Sequence, residues 1–277
     1  MVEEAIRPTG LYSLRLTARA ETWSAHLPEG RWVSARQRPD GAVVLRASCA
    51  QAVDESRFLL ALDDDTSEFH RRFARDPLLG PSTRALRGLR PTRTATVAHA
   101  VLRAVCGQLI QSRRARDIEW EVIHACGENP PTRAALARLS PARLCKCGLA
   151  TGRAATLVRI ARTVDLEALR TAPSEVAAVR LLRERGFGPW SLGVVALHGL
   201  GRYDVGLVSD LSLVKLFASV RGRWPERPDE TAELLAPYGD WQGLASLFLL
   251  AGFGRSLVPG ASIDRARLVR ARYRRAA

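Results

Sequence analysis

The sequence predicts an α+β fold, in which a small N-terminal antiparallel β-sheet precedes a larger, two-lobed and mainly α-helical body. Two observations predict it. Residues 11–62 contain runs in which apolar and polar side chains alternate, as in half-buried strands. From Asp65 onward the apolar residues recur at three- and four-residue steps, as on one face of a helix. We therefore place a β-rich domain at residues 1–80 and a helical domain, with a cleft between its two lobes, at residues 81–277.

The N-terminal segment contains four strand-like runs. Residues 11–19, 31–37 and 42–47 are rich in alternating or β-branched positions, and residues 57–62 could add a fourth strand. Pro39-Asp40-Gly41 lies between the second and third runs and is a turn signal. A small antiparallel sheet containing one hairpin is the expected result.

The rest of the chain has helical periodicity. Residues 92–110 place Val97, Val101, Val105 and Leu109 on one helix face. The other predicted helices are 116–126, 131–138, 151–163, 174–184, 190–199, 211–220, 229–236 and 241–251, followed by a basic C-terminal helix or tail at 264–275.

Charge is the most informative feature of the composition. The hydrophobic fraction of 47% is that of an ordinary globular protein, but the net charge is +14 and the estimated pI is about 10.9. Such a protein is attracted to polyanions. Only Lys146 and Lys215 among the 42 basic residues are lysines. The chain has no basic amphipathic helix with a large aromatic face, so a membrane surface is not the expected partner.

The remaining composition indicates a reduced intracellular environment. The five cysteines are few and odd in number, and the acidic N-terminus does not resemble a secretory signal. The longest apolar stretches, around 192–200 and 244–251, are too short to span a membrane. No histidine pairs with cysteines or carboxylates at a zinc-like spacing. We therefore expect a cytoplasmic, nucleoid-associated monomer of bacterial type, with no cofactor and no metal bound by side chains.

The segment Gly186-Phe-Gly188-Pro189-Trp190-Ser191 has the pattern of a tight turn between two helices. Two glycines at this spacing allow positive φ angles and a close approach of the backbone to another surface. The amides that begin the second helix would then suit a DNA phosphate. Alternatively, Gly186 only ends the first helix and Pro189 only begins the second.

Asp210 stands 22 residues after Gly188, at the apparent start of another helix. An aspartate at that position commonly caps the helix. It could also be a carboxylate that faces a pocket. The two interpretations are compatible, because a cap position would hold the carboxylate in place.

These residues together resemble a known family. Gly186 to Ser191, followed by Asp204 and Asp210, is similar to the helix-hairpin-helix and Gly/Pro-rich loop plus Asp signature of the base-excision DNA glycosylases. Similarity to the branch called DNA-3-methyladenine glycosylase II extends to Asp64-Asp-Thr-Ser-Glu-Phe, Asp76-Pro, Gly88-Leu-Arg-Pro and Ala104-Val-Cys-Gly-Gln-Leu-Ile-Gln. The resemblance covers roughly residues 1–255 and is strongest over 99–114 and 180–216.

The resemblance implies a set of DNA-binding roles. Gly186, Gly188 and Ser191 would hold a DNA phosphate, with a monovalent cation on the hairpin carbonyls as a further possibility. Gln108 and Leu109 would form the wedge that fills the gap left by an extruded base. The wedge is followed by Arg113 and Arg114, which either hold phosphates or form a solvated basic face.

The resemblance also implies the chemistry. Asp210 would be the catalytic carboxylate, and Trp190 stands where strand-cleaving members carry a Schiff-base lysine, so the enzyme would stop at an abasic site. The pocket for the base would be formed by Trp190, Phe248 and Trp241, although Trp190 could instead be a core residue. The sequence departs from the branch at three positions. Val194 and Leu250 stand where two aromatic rings are expected, and the usual proline is missing beside Gly206, before Asp210.

The function implied is that of a monofunctional DNA glycosylase. It would excise alkylated bases of the 3-methyladenine and 7-methylguanine type from double-stranded DNA in base excision repair. Two alternatives stay open: a non-catalytic helix-hairpin-helix DNA-binding protein, and a glycosylase for deaminated or oxidised bases. No cysteine follows Cys147, so the four-cysteine cluster of the endonuclease III branch is missing.

Overall fold

The computed structural model describes residues 1–108 and 111–276. Its N-terminal part contains one four-stranded antiparallel sheet with the strand order β1-β4-β3-β2. The strands are β1 (Val2–Ile6), β2 (Thr22–His26), β3 (Trp32–Gln37) and β4 (Val43–Ala47). The predicted α+β fold with an N-terminal antiparallel sheet is confirmed.

The two central strands are the ones that the sequence predicted. β3 and β4 pair from Val33–Ala47 to Gln37–Val43, and the turn between them contains Gly41 with φ +87°. Alternate residues of β3 are buried on the face that packs against helix α2 (Ala50–Leu59). Period-two burial is what made β3 recognisable.

Two strand predictions were wrong. Residues 11–19 contain a short helix, α1 (Leu14–Ala18), whose N-cap Ser13 accepts a hydrogen bond from the Leu16 amide (3.3 Å). Residues 57–59 form the end of α2 and residues 60–62 a turn, instead of a strand. Capping by Ser13 stabilises a helical turn that alternation alone does not reveal. The outer strands β1 and β2 come from segments that were not predicted.

The helical body begins with α3 and surrounds a central helix, α5. The remaining helices are α3 (Ser67–Phe73), α4 (Gly80–Ala85), α5 (Val97–Gly107), α6 (Ser112–Cys126), α7 (Arg133–Arg138), α8 (Pro141–Lys146), α9 (Thr151–Thr163), α10 (Ser174–Leu182), α11 (Pro189–Val195), α12 (Leu211–Arg221), α13 (Ala232–Leu235), α14 (Gln242–Phe253) and α15 (Ile263–Ala276). Helix α5 contacts α6, α9 and α11.

The predicted helices agree closely with the observed ones. The bounds of α9 coincide with the prediction at 151–163. α5 begins later than residue 92, because Thr96 caps it by accepting a hydrogen bond from the His99 amide (3.1 Å). Within the described residues, no helix is both long enough and apolar enough to cross a membrane.

Two hydrophobic clusters form the core. The smaller cluster includes residues between Ile6 and Leu62 and packs the sheet against α2, whereas the larger one extends from Phe69 to Ala266. Polar contacts join the two clusters. The Arg93 guanidinium pairs with the Asp64 carboxylate, which also accepts a hydrogen bond from the Tyr203 hydroxyl of the helical body. Helix α3 precedes residue 80 but packs in the larger cluster. The division of the chain at residue 80 stays a prediction.

Candidate active site

A single cleft of about 2690 Å³ contains most of the residues that the sequence pointed to. Its walls include the hairpin between α10 and α11, the end of α5, the start of α6 and the start of α12. The segment from Arg15 to His26 of the N-terminal part contributes a further wall. The cleft therefore brings together elements that are distant in sequence.

Asp210 lies at the wall of this cleft and is the N-cap of α12. Its Oδ1 accepts a hydrogen bond from the Ser212 amide (2.8 Å), and its Oδ2 accepts one from Nε1 of Trp190 (2.9 Å). The preceding residue, Ser209, has φ +70°, and its amide donates to Oγ1 of Thr231 (2.8 Å). Asp210 is thus both a helix cap and a carboxylate at a cleft. One donor on each oxygen fixes the plane of that carboxylate.

The loop that leads to Asp210 lies directly on α11. A Cβ at Gly193 would stand 2.4 Å from the carbonyl oxygen of Gly206, so only glycine at position 193 permits this approach. The Leu207 amide donates to Oγ of Ser246 (3.0 Å). These contacts place the start of α12 beside the start of α11, and hence Asp210 beside Trp190.

The hairpin between α10 and α11 has the geometry that its two glycines suggested. Gly186 has φ +85°, and a Cβ there would meet Oγ1 of Thr156 at 2.8 Å. Gly188 has extended backbone angles and no atom within 4 Å of a would-be Cβ, so the surface before Pro189 stays open. Pro189 is the first residue of α11, as predicted, whereas α10 ends at Leu182, four residues before Gly186, with Arg183 as its C-cap. Gly186 is therefore a turn residue rather than the end of a helix.

An ion-pair network holds the hairpin from behind. Glu184 accepts hydrogen bonds from Arg159 Nε (3.0 Å) and Arg180 Nη1 (2.7 Å). Burial raises the pKa of Glu184, but the bonds from the two arginines outweigh it and leave the pKa below its ordinary value. Oγ1 of Thr156 also donates to the carbonyl of Arg185 (3.1 Å). The backbone of the turn is thus fixed on its inner side.

Gln108 ties the end of α5 to this hairpin. Its Nε2 donates to the carbonyl of Gly186 (2.9 Å) and to Oγ of Ser191 (2.9 Å), and Ser191 is only 2% exposed. Gln108 and Ser191 therefore position the hairpin, in addition to lining the cleft. Leu109, the other wedge residue that the sequence suggested, lies outside the described residues.

The hairpin carbonyls already have protein donors. The carbonyl of Gly186 accepts from Gln108, and that of Arg185 accepts from Thr156. A monovalent cation on these two oxygens would have to share them with those donors or displace the donors. Among the described residues, no group of three or more His, Cys, Asp or Glu side chains could hold a metal ion.

Trp190 lines the cleft and covers the end of α5. A Cβ on Gly107 would stand 2.6 Å from Cη2 of the indole, so the ring rests directly on this glycine. The same cleft is lined by the aliphatic side chains of Val194, Leu247 and Leu250. Among these four cleft-lining residues, Trp190 alone carries an aromatic ring.

The other two predicted pocket residues do not line the cleft. Phe248 is fully buried, with its ring centroid 5.1 Å from that of Phe69. Trp241 stacks on Tyr203, at 5.9 Å between centroids and 24° between ring planes. Both rings pack in or against the larger core cluster, because the face of α14 that carries Leu247 and Leu250 is the one turned toward the cleft.

Helix α6 contributes a basic and aromatic wall. Arg113, Arg116 and Trp120 line the cleft at the spacing of one helix face, and Trp120 is 55% exposed. Arg114 does not line it, since its Nη2 lies against Gly148, 2.9 Å from the position of a Cβ there. Sequence reasoning missed Trp120, although its spacing from Arg113 and Arg116 was a usable signal.

A second cluster, of His99, Arg103 and Glu119, also lines the cleft. Oε1 of Glu119 lies 2.7 Å from His99 Nε2 and 3.1 Å from Arg103 Nε. Burial raises the pKa of Glu119, but the His99 hydrogen bond and the Arg103 charge leave it lowered. Sequence reasoning missed the cluster, because Glu119 belongs to α6 whereas the two basic residues belong to α5.

His198 is half-buried and lines the same cleft. Its Nδ1 lies 2.8 Å from the Thr92 carbonyl, which makes Nδ1 the protonated nitrogen of a neutral ring. Burial lowers its pKa to about 4, and the positive charge of Arg103 adds to the effect. His198 is therefore a neutral structural residue near neutral pH.

Solved structures share this fold. No family model and no curated protein matches the chain. The 3-methyladenine DNA glycosylase from Archaeoglobus fulgidus superimposes with a TM-score of 0.79 at 19% identity, covering 92% of this chain and 99% of that one. The 8-oxoguanine glycosylase/lyase of Clostridium acetobutylicum, solved with double-stranded DNA, has a TM-score of 0.70 at 16% identity over 93% and 99% of the two chains.

A third structure is the 3-methyladenine DNA glycosylase of Schizosaccharomyces pombe in complex with abasic DNA. Its TM-score is 0.52 at 17% identity, covering 76% of this chain and 99% of that one. The helix-hairpin-helix DNA glycosylase fold that the motif indicated is confirmed. Because similar structures include enzymes named for 3-methyladenine and for 8-oxoguanine, the fold does not distinguish the branches.

Proposed function

We propose that this protein is a DNA glycosylase that hydrolyses the bond between a damaged base and its sugar in double-stranded DNA. The observation that carries the proposal is the Asp210 carboxylate, fixed by the Ser212 amide and the Trp190 indole at the wall of the cleft that the glycine hairpin also lines. The shared fold with three DNA glycosylases supports it. The net charge of +14 supports binding to a polyanion.

The geometry accounts for the chemistry as follows. The target nucleotide leaves the base stack at a cost of a few kcal/mol and enters the cleft. As the bond from C1′ to the base nitrogen breaks, the base departs with the electron pair and the sugar gains oxocarbenium character. The fixed Asp210 carboxylate stabilises that positive charge without first having to reorient. Water then adds to C1′, and its proton is released.

The aliphatic side chains that line part of the cleft support alkylated bases as the proposed substrates. Val194, Leu247 and Leu250 offer no hydrogen-bonding groups with which to read a base edge. A site of this kind selects bases that already leave easily, and a purine alkylated on a ring nitrogen is cationic and a good leaving group. The indole face of Trp190 would attract such a cation. Oxidised bases are the second candidate, favoured by the similarity to an 8-oxoguanine enzyme.

The proposed enzyme leaves an abasic site and does not cut the strand. Trp190, which donates to Asp210, offers no amine that could attack C1′. The one lysine lining the described cleft is Lys215, five residues beyond Asp210 on α12. Strand breaks without added alkali that disappear in K215Q would contradict this part of the proposal.

One experiment tests the reaction. The protein is incubated with duplex DNA carrying either methylated purines or 8-oxoguanine, and released bases are identified by chromatography. We expect release of methylated purines, and a loss of at least roughly 100-fold in Asp210→Asn, the size typical for removing a group that stabilises transition-state charge. Binding of a duplex with an abasic-site analogue should be almost unchanged in that variant.

Asp229→Asn is the matched control. Asp229 lines the same cleft and loses the same charge in the variant, but it is 58% exposed and lies 3.3 Å from Arg227. Normal turnover by the Asp210 variant would refute the assignment. DNA binding without release of any tested base would favour the non-catalytic alternative, and preferential release of 8-oxoguanine would favour the second candidate.

A further inference from the structure

The C-terminal helix α15 presents arginines beside the cleft. Its buried residues Ala266 and Val269 lie on the side that packs on α12. Arg270, next to this buried face, lines the cleft, and its guanidinium carbon lies 5.3 Å from the ring centroid of Trp224. Contact with the indole face orients the guanidinium while its N–H groups remain available.

Two further cations, Lys215 of α12 and Arg255 after α14, line the same cleft. Within the described part of the chain, neither they nor Arg270 come within ion-pair distance of a carboxylate. Asp229, which lines the same cleft, pairs with Arg227. The three cations therefore add positive charge to the cleft that the carboxylates of the described residues do not pair with.

The position of these cations relative to Asp210 identifies what they bind. Asp210, Leu211, Val214 and Lys215 all line the cleft, so α12 runs along it. Lys215 lies about 7.5 Å along the helix axis from Asp210, at about 1.5 Å per residue. A DNA strand whose target sugar reaches Asp210 thus meets the hairpin near Trp190 and, further along α12, the positive charge of Lys215.

We propose that Lys215, Arg255 and Arg270, extended one helical turn by Arg274, form a second phosphate-binding surface for the DNA flanking the target nucleotide. The inference rests on the proposed function, because it uses Asp210 to locate the DNA. The ligand is the phosphate backbone of a duplex, which the planar forks of arginine fit and which carries no sequence information. The surface increases affinity for DNA on one side of the lesion.

The test compares two double variants of the same helix. R270Q/R274Q removes two charges from the flank that lines the cleft, and R265Q/R272Q removes two charges from the opposite flank, since the two pairs lie about half a turn apart. Binding to a duplex with a central abasic-site analogue is measured by fluorescence anisotropy over a range of salt concentrations. Thermal melting verifies that both variants fold.

Counterion release sets the expected effect. The slope of log K against log salt is negative, and each lost phosphate contact reduces its magnitude by about 0.9. R270Q/R274Q should therefore reduce the magnitude of the slope by roughly 1–2, and R265Q/R272Q should leave it near the wild-type value. Shortening the duplex on one side of the lesion should abolish the difference between R270Q/R274Q and wild type. Shortening it on the other side should preserve that difference.

Several outcomes would overturn the inference. Equal slopes for the two double variants would mean that only total charge matters, and a wild-type slope for R270Q/R274Q would mean that this flank does not touch DNA. A difference unaffected by shortening either side would exclude a flanking contact. If the wild type binds DNA and releases bases but the two double variants have equal slopes, only this inference is refuted. Failure of the wild type to bind the abasic duplex refutes the proposed function as well.

Discussion

Replacing Trp190 with phenylalanine isolates the contribution of one hydrogen bond to catalysis. The indole Nε1 donates to Oδ2 of Asp210 at 2.9 Å, and its ring rests on Gly107. Phenylalanine keeps an aromatic face over Gly107 but removes the donor. The Asp210 carboxylate would then keep the Ser212 amide as its one remaining donor among these contacts and could rotate.

The size of the effect follows from the type of bond. A hydrogen bond to a charged group contributes about 1.5–3 kcal/mol. Trp190 lines an open cleft, so water can partly replace the indole, and the lower half of that range applies. A loss of about 1.5–2 kcal/mol in the transition state corresponds to a rate reduction of roughly 10- to 30-fold, at about 1.36 kcal/mol per tenfold.

The assay is single-turnover release of methylated purines, with affinity for an abasic duplex measured separately. The rate constant should fall in Trp190→Phe while the affinity stays constant, because a positioning residue acts on the chemical step. Trp190→Leu also removes the aromatic face and should reduce release of cationic bases further. A phenylalanine variant as fast as wild type, or one that is slower only because it binds DNA more weakly, would refute a positioning role for the indole.

Two other predictions follow from packing and burial. Gly107→Ala places a Cβ 2.6 Å from the Trp190 ring and should slow base release by roughly tenfold or more, because the indole is displaced. Gly152→Ala is the control, since a Cβ there has no atom within 4 Å, and it should leave the rate of base release unchanged. Equal rates for the two variants would contradict the contact between Gly107 and Trp190. His198 is half-buried, and desolvation lowers its pKa to about 4, but in the unfolded chain it takes up a proton below pH 6.5. As the pH falls from 6.5 to 4, the free energy of unfolding should therefore fall by about 3 kcal/mol more in wild type than in His198→Asn, measured by urea denaturation. Parallel losses in the two proteins would contradict a neutral His198 in the folded protein.

Local patterns were sufficient for much of the helical body. The bounds of α9 and the start of α12 at Leu211 agree with the sequence prediction, because a regular apolar stripe or a capping residue marks them. The hairpin was also recognisable, since Gly186 needs a positive φ angle that few other residues adopt. Such features depend on a few neighbouring residues and can be read in order along the chain.

The strands at the edges of the sheet could not be predicted in this way. β1 is a short run that contains two glutamates, and it becomes a strand by pairing with β4 from Val2–Ala47 to Ile6–Val43. Residues 11–19 alternate like a strand, but Ser13 caps a short helix at Leu14–Ala18. Strand formation depends on a distant partner, which local alternation does not contain.

The sequence by itself determined the class of fold, the glycine hairpin and the position of Asp210 at a helix start. Tertiary structure decided which side chains reach the cleft. Helix α14 is apolar nearly all around, so its sequence does not say whether Phe248 or Leu250 faces the cleft, and packing against Phe69 buries Phe248. The bond from Trp190 to Asp210, the link from Gln108 to Gly186 and the approach of α15 join residues far apart in the chain. Such contacts depend on how helices pack, which a single sequence does not specify.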